Sequence, residues 1–143
     1  MKRIQFVLLT LLLSMSIFGC AGPANTTVEN IIFTDEFFAD VVEICDSRFG
    51  QVSGEQMEPV IRYLKDLTLT ATDEPLRATN ENGDQLYGLD LITFRKNDGT
   101  EISVLRNTAK MSGLDGCSYV VEGGNLNSGL KEAFRQAFNH SDG

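Results

Sequence analysis

Two hairpin signals constrain this chain more than any other feature in it. Asn97-Asp98-Gly99 and Asp115-Gly116 each join stretches whose apolar residues recur at every second position, the spacing of a strand with one buried face. Tyr87 to Lys96 leads into the first turn, and Glu101 to Arg106 leaves it with Ile102 and Val104 on one side. The apolar parity of the first stretch shifts between Leu91 and Ile92, which predicts a bulge or a strand covered on both faces. Ala109 to Ser112 is a shorter strand. Cys117 to Glu122 returns from the second turn, with Tyr119 and Val121 alternating, and Gly123-Gly124 ends it. The result is an antiparallel meander, and its apolar face needs cover.

Two helical patterns can supply that cover. Met57, Val60, Ile61 and Leu64 form one apolar stripe, preceded by Ser53 and Gln56 in the spacing of a capping box. Pro59 objects to so early a start, and predicts that the regular helix begins near Gln56 after a distorted turn. Leu130, Ala133, Phe134, Ala137 and Phe138 repeat over two full turns, with Asn127 or Ser128 as the cap. These phenylalanines read as core. Between the helices, Leu67 to Thr72 switches to period two, a further strand, and residues 73–85 form a polar loop. Ahead of them two patterns compete. Phe37, Phe38, Val41, Val42 and Cys45 follow helical spacing, while 41–46 is rich in β formers and Ser47-Arg48-Phe49-Gly50 turns back. The reading taken is a short helical turn at 34–39 and a strand at 41–46. The expected fold is α+β: a meander of about four to five strands packed against an amphipathic helix and a C-terminal helix, in one domain over residues 31–143.

The first nineteen residues follow a different logic. Lys2 and Arg3 precede an uncharged, Leu-rich run from Ile4 to Phe18, and Gly19-Cys20-Ala21-Gly22 follows as a small-residue site. That order is an export signal, too short and too one-sided in its flanks for a membrane span. A cysteine directly after the small residue looks like a bacterial lipobox, although Phe18 departs from the small or hydroxyl residue usual there. On this reading Cys20 is acylated and becomes the mature N-terminus, and residues 20–30 are a flexible tether. The protein is then expected on the outer side of the cell membrane, held to the bilayer through acylated Cys20.

Charge and cysteine usage fit that location. Of 12 basic and 20 acidic residues, Lys2 and Arg3 leave with the signal, so the mature part carries 10 against 20. Such a surface repels nucleic acid and anionic lipid head groups, so no nucleic-acid partner is expected. Cys45 and Cys117 remain after Cys20. Outside the cytoplasm they read either as a disulfide, worth roughly 4 kcal/mol for a loop of about seventy residues, or as two buried free thiols. One pair has no spacing signature, and both readings stay open.

Little in the sequence suggests catalysis. The single histidine, His140, lies in the tail, which argues against a histidine triad or a histidine metal site. Residues 80–84 (NENGD) lack the ligand series of a calcium loop. No glycine pattern opens a helix after a strand as a phosphate cradle must, and no cofactor is expected. Asp35-Glu36 and Asp73-Glu74 are adjacent carboxylates of the kind that are usually solvated charge. No catalytic residue, cofactor ligand or metal ligand is therefore assigned.

The lipobox, the helix segment VSGEQMEPVIRYLKDL, the meander LITFRKNDGTEISV…GLDGCSYVV and the closing amphipathic helix together resemble small lipoproteins of Gram-positive anaerobes. The resemblance covers most of residues 41–138. It implies a helix packed on an antiparallel sheet and a lipid-anchored location, and it brings no site residues. The expected role is a surface-tethered binding or interaction module with an envelope protein or glycan as partner. The alternative is an envelope hydrolase using paired carboxylates.

Overall fold

The computed structural model describes residues 27–28, 32–74, 76, 82, 89–114, 116–123 and 125–140. The expected signal peptide, Cys20 and most of the tether and the 73–85 loop lie outside the described residues. The fold is α+β, as expected. Among the described residues eight strands form one antiparallel sheet in the order β1-β4-β8-β7-β6-β5-β2-β3. They are β1 (Thr27–Val28), β2 (Val41–Asp46), β3 (Gly50–Ser53), β4 (Leu69–Thr72), β5 (Asp90–Lys96), β6 (Glu101–Arg106), β7 (Lys110–Ser112) and β8 (Ser118–Val121). The helices are α1 (Asp35–Phe38), α2 (Glu58–Lys65) and α3 (Leu126–Asn139).

The strand count exceeds the expected four to five because short strands flank the meander. β3 carries one buried apolar residue, Val52, too little for a period to be read. It nevertheless pairs with β2 from Glu43–Ser53 to Asp46–Gly50. β1 falls within the segment expected to be tether and pairs with Leu69 and Thr70 of β4. The bulge moves as well. β5 alternates regularly, Leu91 outward and Ile92 inward, and the irregular register is in β2 between Val41 and Glu43.

Pro59 settles where the first large helix starts. Gly54–Met57 is a single 3-10 turn, and Ser53 makes no side-chain cap. α2 begins at Glu58 with Pro59 in its first turn, where the missing N–H costs nothing. For α3 the cap is Asn125, not Asn127 or Ser128: its side chain accepts from Ser128 N at 3.0 Å. Asn127 faces inward and has another use.

One core joins the sheet to both helices. Ile44, Ile92, Phe94, Val104 and Met111 from the sheet meet Val60, Leu64, Leu130 and Phe134, all essentially without solvent contact. Phe33, Phe37 and Phe38 close one end of this core against Phe94, with ring centroids 5.1–5.9 Å from it. Phe138 departs from the expected stripe. It is 41% exposed and lies over Gly50, whose φ of 110° is a conformation glycine adopts freely. On the face opposite the helices the sheet mixes polar residues with the exposed Leu91, and Arg95 bridges Glu43 at 2.9 Å and Glu101 at 3.1 Å.

Candidate functional site

Two groups of polar side chains stand out, one sealed and one open. The sealed group forms where four elements converge: the β2–β3 turn, the start of β5, the end of β6 and the start of α3. Strand alternation points Asp46 and Arg106 inward with Ile44 and Val104, and neither has any solvent-exposed side chain. Arg106 donates from Nε and Nη2 to the two carboxylate oxygens of Asp46, each at 2.8 Å, a two-point pair. Its Nη1 donates to Asn127 Oδ1, which ties α3 to the sheet. The guanidinium carbon lies 5.4 Å from the centre of the Phe49 ring.

Asp46 also holds the turn after it. Its Oδ1 accepts from Arg48 N at 2.9 Å and from Phe49 N at 3.1 Å. Asp90 completes the group with Oδ2 3.3 Å from Arg48 Nε and 3.5 Å from Arg106 Nη1. Among the described residues that oxygen is buried and makes no hydrogen bond, and the Arg106 guanidinium beside it is committed to Asp46 and Asn127. Ser47 donates to Asp90 Oδ1 at 3.4 Å and accepts from Leu91 N. With two aspartates against two arginines, the charges balance. The Asp46–Arg106 pair at its centre has no solvent contact and so no path to a substrate, while Arg48 at the edge is half exposed; this knot is structural.

The open group surrounds Tyr63 on α2. Its ring lies against the backbone of α3 at Gly129, where an added Cβ would sit 2.1 Å from the Tyr63 hydroxyl. Glycine in mid-helix costs about 1 kcal/mol relative to alanine, and here it makes room for the ring. Burial raises the Tyr63 pKa above its ordinary value, and the charge of Arg106 opposes that shift. The phenol is therefore neutral at physiological pH. Grooves open on both sides of the ring. One, about 230 Å³, runs between α2 and α3 and is edged by Arg62, Glu132 and Gln136. The other, about 330 Å³, lies where α2 ends beside β8 and is edged by Asp66, Thr68, Glu122 and Asn125.

The expected site residues are not brought together. Cys45 is a free, half-buried thiol on β2 between Gln51 and Thr93, whereas Cys117, just before β8, is disulfide-bonded. The two are therefore not joined to each other. Four inter-strand spacings separate β2 from β8, about 19 Å, and a disulfide needs Cα atoms within about 7 Å. Asp35 pairs with Lys65 and Glu74 with Lys110, both at the exposed surface. Sequence reasoning missed Asp46, Arg106 and Tyr63. The available signal was charge on an inward strand position, at 46 after Ile44 and at 106 after Val104. No family model, curated protein or solved structure matches the chain.

Proposed function

We propose that this protein is a lipid-anchored domain of the cell envelope that binds a partner through the grooves beside Tyr63, with acylated Cys20 holding it to the outer side of the membrane. One observation supports the binding part. The polar side chains around Tyr63 are open to solvent beside a semi-buried aromatic ring, as ligand sites usually combine them, while the stronger ion pairs are sealed in the core. The anchoring part rests on the order of charged, apolar and small residues before Cys20.

The hydrolase alternative needs a carboxylic acid kept protonated near neutral pH. Glu132, in the groove between the helices, goes the other way. Hydrogen bonds from Arg135, then Gln136, push its pKa down to about 2. A general acid there would have to come from elsewhere, and binding is the reading that the groove favours.

Mass spectrometry of the mature N-terminal peptide reads which chemistry Cys20 carries. Cys20→Ser should abolish labelling by a fatty-acid analogue and release the protein from membranes. For binding, the soluble domain from Asn25 onward is immobilised and exposed to detergent-solubilised envelope. Retention of an envelope component, lost in Tyr63→Ala, is expected. Retention that ignores Tyr63→Ala would put the binding surface elsewhere.

A further inference from the structure

We infer that the domain sits on the bilayer with its β5–β6 and β7–β8 hairpins toward the lipid and the groove at the end of α2 turned away. This inference rests on the reading of Cys20 as acylated and adds which surface meets the phospholipid head groups. It starts from β1. Thr27 and Val28 pair with Thr70 and Leu69 of β4, so the sheet begins at the seventh residue after Cys20. That leaves residues 21–26 as the link to the anchor, and not the whole of 20–30. Extended chain covers at most about 3.6 Å per residue, so the anchor and Thr27 are within about 25 Å of each other. The domain therefore stays against the membrane.

Strand register fixes which end faces it. β1 is antiparallel to β4, so its first residue points toward the end of the sheet where β4 finishes, at Thr72. Ser118 lies opposite Thr72 and Ser112 opposite Ser118, which puts the β7–β8 hairpin, with Leu114 and Gly116, at that end. Since β7 finishes there, antiparallel β6 starts there and β5 finishes there, so the Asn97–Gly99 turn joins it. The groove lies at the other end. Val121 is opposite Leu69 at the start of β4, and Glu122 N donates to Thr68 O at 2.9 Å. Thr68 and Glu122 edge the groove together with Asp66, the residue that ends α2.

Other forces do not choose between the two ends. Among the described residues, Val42 and Leu114 are the large apolar side chains exposed at the hairpin end, and Leu91 and Phe138 those at the other. Burial in the lipid interface thus favours neither end. Anionic head groups repel the acidic surface from either side. What differs is the path of the chain. To bring the groove to the bilayer, residues 21–26 would have to reverse and run back past β1 and the start of β4. A groove turned outward takes its partner from the envelope space and not from the lipid.

The test expresses the full chain in a bacterium that processes lipoproteins and reconstitutes the product in phospholipid nanodiscs carrying a gadolinium-chelating lipid. The mass of the N-terminal peptide first reads whether Cys20 is acylated. Amide NMR then reads which residues lie near the lipid. Asp98, Gly99, Leu114 and Gly116 should lose their signals to the gadolinium, while Arg48, Thr68 and Glu122 keep theirs. Thr27→Pro with Val28→Pro removes the N–H groups that β1 brings to its pairing, and should even out the loss between the two ends with the fold intact by circular dichroism. In an acylated protein, the opposite pattern, equal loss at both ends, or a pattern that ignores the proline variant would overturn the inference and leave the anchoring reading standing. An unacylated Cys20 would remove both.

Discussion

The ionic knot at Arg106 and the groove at Tyr63 use the same side-chain types to opposite ends. In the knot, Asp46 and Arg106 satisfy each other, the turn and Asn127, and only the buried Asp90 Oδ2 lacks a hydrogen bond among the described residues. In the groove, Asp66 and Glu122 make no side-chain hydrogen bond or ion pair among the described residues. The difference comes from the elements that carry them. Strand alternation drives residues 46 and 106 into the core, where an unpaired charge is intolerable. A helix end and a strand end place 66 and 122 at the rim, where water tolerates them. Burial therefore decides which polar group builds the fold and which is free to meet a partner.

The sharpest way to break this comparison is to remove one side of the knot. Arg106→Met leaves Asp46 buried without its cation, and the expected loss is about 3–5 kcal/mol in urea unfolding. A loss under about 1 kcal/mol, the range of an exposed pair, would show that the knot is not sealed. Phe134→Ala tests the apolar part of the same junction. Phe134 is buried between Phe49, which stacks near Arg106, and Phe138, and truncation should cost about 3–5 kcal/mol. Either loss is a large share of the roughly 5–15 kcal/mol that holds a domain together.

Gly129→Ala acts on the groove side. The new methyl group must push the Tyr63 ring off α3, for an overpacking cost of about 1–2 kcal/mol after the gain in helix propensity. Tyrosine fluorescence should report a more solvated ring. An unchanged ring and unchanged stability would mean that Tyr63 is not seated on Gly129.

The mildest effect belongs to Glu132. Its pKa is depressed from 4.5 to about 2 in the folded protein, so its contribution to stability is present above about 4.5 and lost as pH falls through about 2. The pair with Arg135 is exposed on both sides, so the effect on melting should be small and salt-sensitive. Arg135→Ala should return the Glu132 titration, followed by carboxyl NMR, toward its ordinary range.

The sequence was most legible where a period ran long enough. The hairpin at Asn97–Gly99 and the apolar stripe of α3 through Ala137 were readable because each repeats or turns within its own span, whereas residues 34–46 carried helical and strand patterns at once. β1 and β3 were not, because two to four residues cannot show a period and their pairing depends on distant strands. The candidate site was almost illegible. Arg106 and Asp46 lie 60 residues apart, and Tyr63 meets Gly129 only once α2 and α3 are laid together on the sheet. Whether Cys45 and Cys117 pair was left open by the sequence for the same reason: strand order, not sequence separation, sets their distance.

The central claim is that partners meet the Tyr63 groove and never the knot. Backbone amide NMR of the soluble domain, titrated with the envelope component that it retains, tests it most directly. The account predicts shifts confined to Tyr63, Asp66, Thr68, Glu122 and Gly129, with Asp46, Asp90 and Arg106 unmoved. Shifts centred on the knot, or spread evenly over the acidic surface, would contradict it.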